Sequence, residues 1–178
     1  MMYKFTKKAE DVIAIANQIA GEFGHNYIGT EHILYGLLKE GSGVASKVLE
    51  NQNITAEQIE QQIEILIGRN EEIEIEDIVG FTPRTKRVIE NAFREAKRIG
   101  SNYIGTEHLL LGMMKEQDSV AIRILLDLSV DVQKLYNELI KVINEDIIGE
   151  KQENKNTNIG SSFNQTQTLN QIGRASCR

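Results

Sequence analysis

Apolar residues recur at every third or fourth position through most of residues 9–144, which is the spacing of one face of an α-helix. The first of these stripes begins at Ala9 and stops before Gly24, a residue type that often terminates a helix. Three more stripes follow, and the last opens with a capping-box sequence at residues 55–58. The pattern then restarts after residue 80, so we predict eight helices arranged as two sets of four.

A repeated sequence explains the two sets. The residues Asn-Tyr-Ile-Gly-Thr-Glu-His occur at residues 26–32 and again at residues 102–108, and half of the aligned positions in residues 5–40 and 81–116 are identical. Such self-similarity indicates that one structural unit has been duplicated. In each copy we predict that the threonine of the motif, Thr30 or Thr106, is the N-cap of a helix whose first turn carries the glutamate and the histidine.

The duplicated pattern predicts an all-α fold with two tandem four-helix repeats packed as one pseudo-twofold domain, because each repeat alone is small for a core. We place the repeats at residues 3–68 and 81–144, and an acidic linker at residues 69–80. Glycines inside the second helix of each repeat, Gly36 and Gly112, indicate that another helix approaches closely. Residues 145–178 are rich in Asn, Gln, Ser and Thr, and we expect them to be disordered.

Composition narrows the classes of partner. The formal net charge of −6 disfavours nonspecific attraction to nucleic acid or to an anionic membrane. One cysteine, Cys177, cannot form an intramolecular disulfide, and no apolar run approaches the ~20 residues that span a bilayer. We therefore expect a cytoplasmic protein that binds neither nucleic acid nor membrane.

Residues 24–34 read Gly-His-Asn-Tyr-Ile-Gly-Thr-Glu-His-Ile-Leu, a second copy follows in the other repeat, and a Phe-Thr pair precedes the first helix of each repeat. Together these features resemble the duplicated N-terminal domain of Clp/Hsp100 ATPases, closest to the ClpC type. The resemblance covers residues 3–144 and extends through linker-like sequence to Arg174. Residues 175–178 do not continue it, so we expect a truncated reading frame or an added non-native end.

This resemblance implies a non-catalytic domain that receives substrate proteins and adaptor proteins, MecA-like or McsB-like, for an ATPase ring that feeds a ClpP peptidase in protein quality control. The chain contains no Gly-x-x-x-x-Gly-Lys-Ser/Thr phosphate loop, so we expect no enzyme activity and no cofactor here, with ATP and Mg²⁺ serving the full-length parent. The alternative is a stand-alone Clp-associated adaptor or stabilising subunit. The linker-like tail favours a fragment of the larger protein.

Two interpretations apply to Glu31 and Glu107. Each can simply complement the positive end of a helix dipole. The resemblance adds a second role, because the glutamate of this motif in ClpC-type domains of the Gram-positive lineage holds the guanidinium of phosphoarginine, a mark for degradation. A carboxylate suits that task since it accepts two parallel hydrogen bonds from the planar group.

The phosphate of such a ligand requires donors that a glutamate lacks. The starts of the first helix in each repeat offer backbone amides and cations, and we name Thr6, Lys7 and Lys8 in one and Thr82 and Arg84 in the other. The proline between Thr82 and Arg84 removes one amide, so we predict two sites of unequal strength.

Other chemistry has less support. The histidines at positions 25, 32 and 108 raise the alternative of a metal site, but adjacent Glu-His side chains diverge by about 100° around a helix. We predict no metal ligands and no catalytic residues, and expect the histidines to pack or hydrogen-bond across the repeat interface. Phe5 and Phe81 are either core aromatics or the rim of a surface where peptides or adaptors dock.

Overall fold

Eight α-helices account for most of residues 2–159, the part of the chain that the computed structural model describes; side chains are described through residue 146. The first repeat contains α1 (Lys7–Glu22), α2 (Thr30–Glu40), α3 (Val44–Asn51) and α4 (Ala56–Leu66). The second contains α5 (Pro83–Arg98), α6 (Thr106–Met114), α7 (Val120–Asp127) and α8 (Val132–Ile159). The predicted all-helical, duplicated fold is confirmed.

Threonine caps begin the first helix of each repeat, as the sequence predicts. Thr6 Oγ1 accepts a hydrogen bond from Ala9 N at 3.1 Å, and Thr82 Oγ1 accepts one from Thr85 N at 3.1 Å. Pro83 occupies the first helical position of α5, where its missing amide hydrogen leaves no intrahelical bond unmade. Both helices therefore start at equivalent residues of the repeat.

Short parallel backbone pairings join the two repeats. Strand β1 (Tyr27–Ile28) of the first repeat pairs with β2 (Gly80–Phe81), which directly precedes α5 of the second. The equivalent bridge joins Phe5, just before α1, to Ile104 of the second repeat. These pairings were not predicted from the sequence, because two-residue segments show no alternation and are defined only by the partner that lies beside them.

Helix pairs within each repeat pack closely, and glycine permits the approach. A Cβ atom built on Gly36 of α2 would lie 2.5 Å from the carbonyl oxygen of Val12 in α1. The equivalent atom on Gly112 of α6 would lie 2.4 Å from the carbonyl oxygen of Val88 in α5. Real Cβ atoms do not come this close to a backbone oxygen, so the predicted role of both glycines is confirmed.

The threonines of the repeated motif connect the repeats instead of capping their own helices. Gly29 and Gly105 are the N-caps of α2 and α6, which corrects the prediction for Thr30 and Thr106. Thr30 Oγ1 accepts a hydrogen bond from Ala121 N of the second repeat at 3.1 Å, and Thr106 Oγ1 accepts one from Ala45 N of the first at 3.3 Å. Each threonine thus binds an amide at the start of the other repeat's third helix.

The central helices form the core between the repeats, where α2 packs on α7 and α3 packs on α6. Fully burying a large apolar side chain contributes about 1.5–3 kcal/mol. The largest fully buried side chains on these helices are Ile33, Leu34, Leu37, Leu49, Leu109, Leu110, Leu111 and Met113.

The connector between the repeats follows the end of α1. Asn70 N donates to Phe23 O and Ile73 N donates to Gly21 O, both at 2.9 Å, and a short 3-10 helix covers Ile75–Asp77. Residues 73–75 form no strand.

Helix α8 continues past residue 145, at which the sequence analysis places the start of the tail, and reaches Ile159. Residues 145–159 include three Glu and two Lys, which favour a helix, and contain no proline. A first compact unit ends at Tyr136, and the remainder of α8 belongs to a second. The predictions for residues 160–178, including Cys177, concern residues outside the described part. No helix within that part is long and apolar enough to cross a membrane.

Candidate functional site

Two glutamates occupy equivalent places in the first turns of α2 and α6. Glu31 is the second residue of α2 and Glu107 is the second residue of α6. In each copy the histidine that follows accepts a hydrogen bond through Nδ1 from the amide of the N-cap glycine at 2.8 Å. This bond resembles half of a capping box and fixes the first turn on which the glutamate stands.

The N-cap glycines leave room for the carboxylates. A Cβ atom on Gly29 would lie 2.3 Å from Glu31 Oε1, and one on Gly105 would lie 2.3 Å from Glu107 Oε1. Each carboxylate therefore folds back over its own glycine. Any larger residue at that position would displace it.

Each glutamate lies beside the helix start of the opposite repeat. Thr82 N donates to Ile28 O at 3.1 Å, which brings the beginning of α5 to the loop that precedes Glu31. Thr6 N donates to Ile104 O at 2.9 Å and brings the beginning of α1 to the equivalent loop before Glu107. The candidate sites are therefore shared between the repeats.

A pocket of about 270 Å³ contains the first of these arrangements. Glu31 lines it together with Thr82 and Arg84 from the start of α5, three of the residues that the sequence analysis selected. The other lining residues are Tyr27, Gly29, Thr30, Ile67, Asp118, Ser119 and Val120.

Burial makes the Glu31 carboxylate unusual. Only 2% of the residue is exposed, and the resulting loss of hydration raises its pKa above the usual value, although a hydrogen bond from its own backbone amide acts in the opposite direction. The pKa of Tyr27 is also raised, first by burial and then by the charge of Glu31. A buried carboxylate at a pocket wall is stabilised by a cationic ligand that supplies N–H donors.

The start of α5 supplies positive charge at the same pocket. Arg84 Nη1 lies 3.8 Å from Glu116 Oε1, a carboxylate that accepts a shorter hydrogen bond of 3.0 Å from Arg87 Nε. Arg87 first, then Asn91 and the charge of Arg84, hold the pKa of Glu116 below its usual value. Arg84 is thus only loosely paired at a pocket that already contains a helix N-terminus.

The histidines of the first repeat form a hydrogen-bonded pair. His25 Nδ1 lies 2.9 Å from His32 Nε2, and His25 Nε2 lies 2.8 Å from Gly68 O. These bonds stay within the first repeat, which corrects the expectation of bonds across the repeat interface. Among the described residues, no three His, Cys, Asp or Glu side chains group as a metal site.

Comparison with known proteins accounts for the duplication. A protein-family model described as the Clp repeat (R) N-terminal domain matches residues 4–128 and again residues 80–175, and the two matches start at the offset of the repeated motif. The chain belongs to this family. The resemblance recognised from the two Gly-Thr-Glu-His segments is confirmed.

Curated relatives of this Clp repeat domain are much longer proteins. This chain is 38% identical over 174 residues to the negative regulator of genetic competence ClpC/MecB of Bacillus subtilis. The alignment covers 98% of this chain and 21% of the relative. The chain is 40% identical over 173 residues to the chloroplastic chaperone protein ClpC1 of Arabidopsis thaliana, covering 97% and 18%. The chain spans about a fifth of the length of these relatives.

Solved structures show the same fold. The N-terminal domain of the caseinolytic protease associated chaperone ClpD of Arabidopsis thaliana superposes with a TM-score of 0.67 at 25% identity, over 79% of this chain and 97% of that one. The N-domain of ClpV from Vibrio cholerae gives 0.62 at 16% identity, over 79% and 86%.

The remaining residues selected from the sequence lie elsewhere in the Clp repeat domain. Lys8 Nζ donates to Ser42 O at 3.1 Å, and Lys7 Nζ donates to Asp11 Oδ1 at 2.9 Å along α1. Neither lysine lines the first pocket. Phe5 and Phe81 are partly buried and lie in the backbone pairings between the repeats, and their role as a docking rim stays a prediction.

The loop before α7 contributes Asp118 and Ser119 to the first pocket of the Clp repeat domain, and neither residue was selected from the sequence. Ser119 caps α7 by accepting from Ile122 N at 3.3 Å, and a serine before an apolar run is a recognisable start signal. That signal predicts the helix start. It does not reveal that this start faces Glu31 of the other repeat.

Proposed function

We propose that this chain is the substrate- and adaptor-binding N-terminal domain of a ClpC-type ATP-dependent unfoldase. We propose further that the first pocket, at Glu31, and the equivalent site at Glu107, the second pocket, bind phosphoarginine on proteins marked for degradation. The observation that carries the proposal is the buried Glu31 carboxylate, which lines one pocket with Arg84 and Thr82 at the start of α5. A carboxylate and a cationic helix start then lie at one pocket, as a ligand with a guanidinium and a phosphate requires.

The two ends of the ligand meet different groups. The Glu31 carboxylate accepts hydrogen bonds from the guanidinium, and such charge-assisted bonds are about twice as strong as neutral ones. The phosphate is stabilised by Arg84 and by the positive end of α5. Thr82 occupies the amides of Thr85 and Lys86, and Pro83 has no amide hydrogen, so Arg84 supplies the amide of this turn that can still reach a ligand.

The size of the pocket fits one modified side chain. Its volume of about 270 Å³ lies just below the ~300–1,000 Å³ of pockets for drug-sized ligands. Adaptor proteins would contact a wider surface of the domain. Unfolding with ATP and Mg²⁺, and delivery to a ClpP peptidase, would belong to the remaining four-fifths of a parent like the curated relatives.

Isothermal titration with free phosphoarginine tests the proposal. The domain should bind two equivalents, Glu31→Ala and Glu107→Ala should each bind one, and the double variant should bind none. Arginine and phosphoserine serve as ligand controls, and Glu22→Ala, which changes an exposed carboxylate at the end of α1, is the matched protein control. A double variant that binds as well as the parent would overturn the proposal.

A further inference from the structure

Four side chains in successive contact lead to the wall of the first pocket. Arg69 Cζ lies 4.0 Å from the ring centroid of Phe23, and the Phe23 ring is tilted by 51° against that of His25, with the centroids 5.6 Å apart. The His25 ring in turn lies parallel to Tyr27, with an interplanar angle of 7° and centroids 5.5 Å apart. This aromatic ladder, residues 69, 23, 25 and 27, ends at Tyr27, which lines the pocket beside Glu31.

Hydrogen bonds lock the ladder in one orientation. Gly29 N donates to His32 Nδ1 at 2.8 Å, so the hydrogen of a neutral His32 is on Nε2, from which it reaches His25 Nδ1 at 2.9 Å. The hydrogen of His25 is then on Nε2 and is donated to Gly68 O at 2.8 Å. Every ring nitrogen of the two histidines has a partner when both are neutral.

The second repeat lacks this ladder. At the positions equivalent to Phe23, His25 and Arg69 it carries Ile99, Ser101 and Glu145. Its tyrosine, Tyr103, is 50% exposed. The aromatic residue at the motif is present in both repeats, but among the described residues only Tyr27, in the first repeat, contacts a second ring.

We propose that Tyr27 is the face on which the guanidinium of the ligand stacks, that His25 and His32 are positioning residues for that face, and that the first pocket therefore binds more tightly than the second. This inference rests on the proposed function. It adds a contact and an order of affinity to the role of the two glutamates.

Two physical effects favour a higher affinity of the first pocket than of the second. A planar guanidinium stacks well on an aromatic face, and the attraction is larger when the contact is desolvated, as it is beside the buried Glu31. A ring already held by its neighbours also loses less conformational freedom on binding than an exposed one. Pro83 at the start of α5 leaves the first pocket one backbone amide fewer than the second, and this acts in the opposite direction. We expect the ladder to outweigh that loss, so that the first pocket binds about tenfold more tightly.

The test isolates each pocket in turn by titrating phosphoarginine into Glu107→Ala, which leaves the first pocket, and into Glu31→Ala, which leaves the second. Tyr27→Leu should weaken the first pocket about tenfold, whereas the matched Tyr103→Leu should change the second less than about twofold. Tyr27 is partly exposed, so its replacement by leucine spares the core.

The positioning role is tested at His25. His25→Ser, which copies the second repeat, should bring the first pocket to the affinity of the second, while His25→Phe, which retains a stacking ring, should restore part of the loss. In the Glu31→Ala background His25→Ser should leave the second pocket unchanged. Nitrogen-15 shifts of the imidazoles in the parent should show hydrogen on Nε2 of both His25 and His32.

Three results would overturn the inference: equal affinities of the two isolated pockets, a Tyr27→Leu affinity within about twofold of its background, or an equal loss in both pockets from His25→Ser. The proposed function survives all three, because phosphoarginine still binds. If Glu107→Ala with an intact ladder binds no phosphoarginine, the proposed function and the inference both fail.

Discussion

Replacing Gly29 with alanine should impair binding without destabilising the fold. The added Cβ would lie 2.3 Å from Glu31 Oε1 and 2.7 Å from its Cδ, so the carboxylate must move by about 1 Å to reach ordinary contact distance. The backbone of Gly29 has φ −92° and ψ 175°, which alanine adopts without strain. The substitution therefore acts on the position of one carboxylate.

The expected magnitude follows from the hydrogen bonds that the displaced carboxylate loses. A hydrogen bond to a charged group contributes about 1.5–3 kcal/mol, which corresponds to a loss of about 10- to 150-fold in affinity of the first pocket. The free energy of unfolding should stay the same or rise by up to about 1 kcal/mol, because alanine reduces the freedom of the unfolded chain.

Titration of phosphoarginine into Gly29→Ala in the Glu107→Ala background measures the first effect, and urea unfolding measures the second. Gly105→Ala in the Glu31→Ala background is the matched experiment on the second pocket. Unchanged affinity of Gly29→Ala would refute the argument that this glycine positions the carboxylate. A loss of affinity accompanied by a large loss of stability would refute the claim that only the side chain moves.

Further predictions concern stability, measured by urea unfolding. Thr30→Val should lower the free energy of unfolding by about 1–3 kcal/mol, because it leaves the buried amide of Ala121 without its acceptor. Thr30→Ser keeps the acceptor and should cost about 1 kcal/mol for the lost methyl group. Equal costs of the two variants would contradict the cross-repeat hydrogen bond. Gly36→Ala should cost about 1–3 kcal/mol by forcing α2 away from Val12, and a net stabilisation from alanine's helix propensity would show that the helices have room to spare. Burial, and then the neighbouring His25, lower the pKa of His32 from 6.5 to about 3, so as the pH falls the unfolded chain takes up a proton at His32 before the folded chain does. The free energy of unfolding should therefore be unaffected by His32 above pH 6.5 and should decrease as the pH falls towards 3, by about 2 kcal/mol at pH 5. His32→Asn should flatten this pH dependence.

The helices were predictable because the local sequence specifies them. The Thr82-Pro83 start of α5 and the glycine in α2 each act through contacts with the nearest turn or helix, and the repeat supplied every such signal twice. The predicted N-caps of α2 and α6 were wrong by one residue, because the hydroxyl of Thr30 accepts a hydrogen bond from the other repeat instead of capping its own helix. Its partner, Ala121, is 91 positions away in the sequence and cannot be inferred from local pattern.

The sequence indicated which residues form the candidate site, but it did not indicate which of them share one pocket. Glu31 and Arg84 were both selected, the first from its motif and the second from its helix start. That they share one pocket depends on the parallel pairing of β1 with β2, which only the folded chain defines. The histidine pair was missed as a pair because neither residue has a periodic or motif-based signal for the other.

The measurement that tests the shared-pocket arrangement most directly is a double-mutant titration of phosphoarginine. In the Glu107→Ala background, Arg84→Ala should weaken binding and Lys8→Ala should not, because Arg84 lines the pocket of Glu31 across the repeat boundary. In the Glu31→Ala background, Lys8→Ala should weaken binding and Arg84→Ala should not. If Lys8→Ala, and not Arg84→Ala, weakened the pocket that contains Glu31, each site would lie within one repeat and the account would be contradicted.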